Sequence, residues 1–174
     1  MMNDRLETAL RRNSGQKMLA QFLTDASSAL GRPFTESELL ALPETDALLE
    51  RFEDTMQCLA SRRSAGAFVV DSHLRSVHDL NVEVGRLMER VPDGEVFLYR
   101  ARSKWCGAIR TSVHEVLQHM QNLVTPDQED VIACGQIGSP GIFCSLSMDE
   151  DGSGGTYHLV AWAEEAMGQV GVHR

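Results

Sequence analysis

Residues 130–165, DVIACGQIGSPGIFCSLSMDEDGSGGTYHLVAWAEE, carry the densest strand-like patterning in the chain and decide how the rest is read. Ile142, Cys144, Leu146 and Met148 alternate with Phe143, Ser145 and Ser147, the period of two expected of a strand. Asp149-Glu150-Asp151-Gly152-Ser153-Gly154-Gly155 interrupts the pattern with charge and glycine. Thr156–Ala163 then resumes it, with Tyr157, Leu159 and Ala161 opposite His158, Val160 and Trp162. Ser139-Pro140-Gly141-Ile142 has Pro where φ near −65° is wanted and Gly where a type II turn needs positive φ. A small antiparallel meander accounts for all of this. Val131–Cys134 reads equally as its first strand or as a helix, because Thr125-Pro126-Asp127-Gln128 has a cap, a first-turn Pro and a capping-box Gln.

Upstream the period changes. Met18, Leu19, Phe22, Leu23, Ala26 and Leu30 predict a helix from about Gly15 to Leu30, ended by Gly31 and Pro33 and preceded by a short turn at Asp4–Arg11. Thr35-Glu36-Ser37-Glu38 is a capping box opening a short helix through Leu42. Leu48, Leu49, Phe52, Met56 and Leu59 mark a helix from Pro43 to about Arg62. Ala65–Asp71 is a candidate edge strand. A helix from Leu74 to Val91, capped by Ser72 and stopped by Pro92, is expected next. Glu95–Ala101 is a clear strand, and Ser112-Val113-His114-Glu115 caps a helix with Val116, Leu117, Met120 and Leu123 inward. The expectation is one α+β (or mixed α/β) domain over residues 1–174: a helical part to about 63, then a small, mostly antiparallel sheet with packed helices.

With 174 residues the chain suffices for one core but is short for two domains. No apolar run approaches the ~18 residues of a membrane helix, and MMNDRLETALRRN lacks a signal-peptide core, so a cytoplasmic location is expected. Cys58, Cys106, Cys134 and Cys144 form no C-x-x-C pair and read as reduced thiols. The net charge of −9 opposes phosphate-tracking nucleic-acid binding. Residues 111–174 hold nine acids against Arg174 alone, and residues 36–54 hold seven against Arg51. Residues 99–110 reverse the sign, with Arg100, Arg102, Lys104 and Arg110 and no acid. Charge runs are most often solvated faces, but two acidic segments on a small chain favour basic partners. The basic strip, with Tyr99 and Trp105, has the look of a nucleic-acid strip. Pairing with an acidic segment explains it more simply.

Chemistry-bearing motifs are sparse. Asp149-Glu150-Asp151-Gly152-Ser153-Gly154 resembles the start of a calcium loop, but Val160 stands where the bidentate acid belongs. His73/His78 and His114/His119 are each five apart, the wrong spacing for ligands on one helix face, and His158 stands alone on its strand. Gly135-x-x-Gly138-x-x-Gly141 precedes no helix, so it does not form a phosphate cradle. No serine sits in G-x-S-x-G. Cys106, among basic residues that could lower a thiol pKa, pairs in principle with His114, but a buried structural cysteine is the favoured reading. No metal, cofactor or catalytic set is expected, and the alternative is a small hydrolase or transferase using Cys106 or His158, or a regulatory binding protein.

In size, acidity and the texture of SPGIFCSLSMDEDGSGGTYHLVAW, the chain resembles the cytoplasmic immunity proteins of bacterial toxin–immunity systems, especially those of contact-dependent growth inhibition. The resemblance is one of overall character and carries no residue-level motif. It implies a non-enzymatic inhibitor that binds a cognate toxin domain, commonly a basic nuclease, and blocks its active site or a necessary surface. The expected contact surface is the protruding loop Asp149, Glu150 and Asp151 with Tyr157, Glu164 and Glu165. The acidic helix region Glu44–Asp54 is the competing surface.

Overall fold

The computed structural model describes residues 2–61 (side chains for 9–57), 70–125, 130–135, 141–149 and 155–162. In chain order it has α1 (Met2–Leu30), a 3-10 turn (Glu36–Glu38), α2 (Leu42–Ser61), β1 (Val70–Leu74), α3 (Val77–Arg90) and β2 (Glu95–Tyr99). Then follow α4 (Ser103–Cys106), β3 (Ile109–Ser112), α5 (Val113–Gln118), α6 (Met120–Leu123), β4 (Asp130–Cys134), β5 (Gly141–Met148) and β6 (Gly155–Trp162). This is an α+β fold on one antiparallel sheet of order β1-β6-β5-β4-β2-β3.

Strand alternation gives the sheet two faces, and both are apolar. One carries Val96, Leu98, Ile109, Val131, Ala133, Ile142, Cys144, Leu159 and Ala161. It packs against Phe22 and Ala26 of α1, Leu80, Val84 and Leu87 of α3, and the buried side of α5 and α6. The other carries Phe97, Cys134, Val160 and Trp162, met by Leu48 and Phe52 of α2. The Phe52 ring centroid is 5.7 Å from Phe143 and 6.2 Å from Trp162. Burial on two faces explains why β6 reads TYHLVAW, with apolar residues at successive positions.

The expected meander is β4–β5–β6. Val131–Cys134 is a strand: β4 pairs with both β2 and β5, so its backbone is satisfied on two sides, which a short helix there would forgo. Gly141 departs from the turn expectation. It is the first residue of β5, and Gly31 and Gly107 are the glycines with positive φ among the described residues. What Gly141 supplies is room, since a Cβ there would overlap the Trp162 ring. Ser139 and Pro140 lie outside the described residues.

Other boundaries moved. α1 is one helix, with no break before Gly15, and that glycine is buried where α1 crosses α4: a Cβ would strike the Trp105 carbonyl. The expected Ala65–Asp71 strand lies mostly outside the described residues, and the strand seen is Val70–Leu74. Leu74 was expected in the following helix but pairs with Tyr157 in the sheet. The cap of α3 is therefore Ser76, whose Oγ accepts from Asp79 N, and not Ser72. β3 and α4 were not anticipated. β3 is only four residues long, and its start is held by Leu40 N donating to Ala108 O and by Gly107 at φ 100° against the Leu40 carbonyl.

Candidate partner-binding surface

Three exposed acids project from α2. Helical spacing turns Leu48 and Phe52 inward, with Leu49 and Met56 beside them, which leaves Glu50, Glu53 and Asp54 exposed on the outer face. None of the three has an ion-pair partner among the described residues. Asp46, one turn earlier, is different. Arg11 Nη1 and Nη2 donate to its two oxygens at 2.6 and 2.7 Å, and this hydrogen bonding holds its carboxyl below the usual range against the opposing effect of burial.

Where α2 does not cover this face, a polar row crosses four strands. His73 pairs with His158, His158 with Ser145, and Ser145 with Asp130. The His73 and His158 rings stack at 4.3 Å, and His158 Nε2 donates to Asp71 Oδ1 at 2.9 Å. Phe143 meets His158 edge-on at 6.1 Å, joining the row to the aromatic contacts of α2. Asp130 begins β4 opposite Ser145 and Asp149 follows the last residue of β5, so both exposed acids lie toward the same end of the sheet. Met148 beside them is 41% exposed.

Of the residues expected at the contact surface, Asp149 is exposed, whereas Glu150, Asp151, Glu164 and Glu165 lie outside the described residues. Tyr157 corrects the expectation. It is buried, opposite Leu146 and Leu74 on the helix-covered face, and burial pushes its hydroxyl pKa up. Its alternation with His158 makes this unavoidable once Leu159 and Ala161 face the helices. His158 in turn is not alone: β1 brings Asp71 and His73 to it, a proximity created by strand pairing and invisible to spacing along the chain. Among the described residues, no group of three His, Cys, Asp or Glu side chains is placed to hold a metal ion.

The described cysteines are buried or half-buried thiols. Burial raises the Cys106 thiol pKa, outweighing the opposing influence of Arg102, and its Sγ donates to Gly15 O at 3.8 Å. His114 Nε2 instead donates to Val91 O at 2.8 Å, so no Cys106–His114 pair forms. Cys134 and Cys144 are buried thiols pushed up to about 12. The basic strip disperses as well. β2 stops at Tyr99, Arg100 turns inward, and Arg102 bonds Asp25 of α1 at 2.9 Å, outside either acidic segment. Compared with known proteins, the chain gives no significant match to any family model, curated protein or solved structure.

Proposed function

We propose that this chain is an immunity-type inhibitor that binds a cognate, basic toxin domain, such as a nuclease, and neutralises it by covering its active site or a necessary surface. One observation carries the reading. Glu50, Glu53 and Asp54, without an ion-pair partner among the described residues, project from α2, and the exposed Asp130 and Asp149 lie toward the other end of the sheet from the Cys134 and Trp162 end that α2 covers, so the acids border the uncovered polar row from two sides. Arg11, Arg32 and Arg102 are meanwhile engaged by acids of the chain itself. The result is an outward negative field that speeds encounter with a basic surface and competes for a site built to take phosphates. The setting is the cytoplasm, and no helix among the described residues is long and apolar enough to cross a membrane.

The mode of action is stoichiometric binding without turnover or a cofactor. The test is inhibition of the toxin domain encoded beside this chain: activity should fall linearly to zero at an equimolar ratio. Toxin that stays active at a several-fold excess of this protein rules the reading out. Two charge variants then locate the contact: Asp149, Glu150 and Asp151 changed to Ser, and Glu50, Glu53 and Asp54 changed to Ser. Loss of affinity in the first assigns the loop, with Glu164 and Glu165 next to be tested; loss in the second assigns α2.

A hydrolase reading draws on one observation, the Asp71–His158 hydrogen bond with Ser145 paired opposite His158. It predicts a hydrolytic activity that disappears in His158→Gln, whereas toxin neutralisation should survive that change.

A further inference from the structure

The strip Tyr99–Trp105 plays no part in the acidic surface, and the fold gives it a place of its own. α1, α2, α4 and the end of β2 border an open, shallow cleft of about 530 Å³. Tyr99 and Trp105 supply its aromatic walls, and Leu10 and Leu49 its apolar edges. The Lys104 ammonium lies 3.9 Å from the centre of the Trp105 ring. It has no carboxylate partner among the described residues, in a protein where acids are in excess.

We propose that this cleft binds a planar aromatic anion of the nucleoside monophosphate class, its ring against Trp105 and its phosphate on Lys104. The cation over the ring marks a face open to approach. A base stacking there displaces the ammonium, which turns to the phosphate and exchanges a cation–π contact for a charge-assisted hydrogen bond. Polar groups for the ring edge are in place. Asp46 offers acceptor lone pairs beyond those used by Arg11, and burial keeps the Tyr99 hydroxyl protonated as a donor.

The wall is fixed before any ligand arrives. Arg11 Nε donates to the Lys104 carbonyl, and Gly15 lets α1 lie directly on the Trp105 carbonyl. A polynucleotide fits less well, because Arg100 is buried and Arg102 is held by Asp25, so neither extends a cation track from the cleft.

The experiment is an NMR titration of the full chain, following the two indole N–H signals, with Trp105 assigned through Trp105→Phe and Trp162 as internal control. Adenosine monophosphate, adenosine and inorganic phosphate are the probes. Adenosine monophosphate should shift Trp105 and not Trp162, saturably, with Kd below about 1 mM. Lys104→Gln, an exposed change, should weaken it about tenfold, while adenosine, which has no phosphate to reward the displaced ammonium, should bind the variant at least as well as wild type. No saturable shift, a shift confined to Trp162, or an affinity untouched by Lys104→Gln would overturn the proposal. So would loss of toxin binding in Lys104→Gln without nucleotide binding, which would make the cleft part of the partner surface.

Discussion

At the scale of single residues, two glycines matter for the space they leave. Gly15→Ala ordinarily stabilises a helix by ~1 kcal/mol. Here the new methyl meets the Trp105 backbone, which cannot swing aside as a side chain would, so the variant should be less stable than wild type in urea unfolding. Gly141→Ala forces a methyl into the Trp162 ring and should cost about 1–3 kcal/mol, the usual range for overpacking. Midpoints equal to wild type would show that α4 or Trp162 relaxes freely. Asp46 makes a prediction about pH. Its folded pKa is depressed by Arg11, so its contribution is full above the ordinary carboxyl pKa, about 4, and is lost as pH falls through the lower folded value. Melting temperatures of wild type and Asp46→Asn should differ at neutral pH and converge as pH falls below the depressed folded pKa. Glu38 and Asp93, also depressed, act in both proteins and cancel from the difference.

Among the elements, α3 shows how a boundary is set by the sheet. Leu74 continues the apolar pattern of the helix, yet strand pairing with β6 retains it and passes the capping role to Ser76. Ser76→Ala should cost about 1 kcal/mol, the usual value of an N-cap, whereas Ser72→Ala should cost much less. Unfolding the two variants side by side distinguishes the boundaries, and equal losses would contradict the structure. α2 illustrates division of labour within one helix. Its inward residues close the second sheet face, and its outward acids are free to meet a partner without disturbing that packing. The triple change of Glu50, Glu53 and Asp54 to Ser should therefore leave stability within about 0.5 kcal/mol per site.

For the whole molecule, what counts is the field of the net −9 charge, which the internal ion pairs of Arg11, Arg32 and Arg102 leave unchanged because each also uses an acid. Association with a basic toxin domain should slow as salt rises, by roughly tenfold or more across 0.02–0.5 M, while dissociation changes little. Stopped-flow rates measure this. A flat salt dependence would mean that the contact is not steered by charge, whatever its location.

The sequence by itself determined the local elements. Alternation in Ile142–Met148 separates Cys144 and Leu146 from Ser145 and Ser147, and the Thr35 and Ser112 caps start their turns as written, because each depends on residues a few positions apart. Tertiary structure decided what those elements do. Whether Val131–Cys134 became strand or helix depended on having β2 and β5 on either side. Alternation grouped Tyr157 with Leu159 and Ala161, but only the packing of α1 and α3 turned that group inward. Asp71 meets His158 across 87 positions, and Arg11 meets the Lys104 carbonyl across 93, so the polar row and the aromatic cleft exist only after the chain has closed. Local periodicity fixes which residues share a face; register and helix docking fix which faces meet.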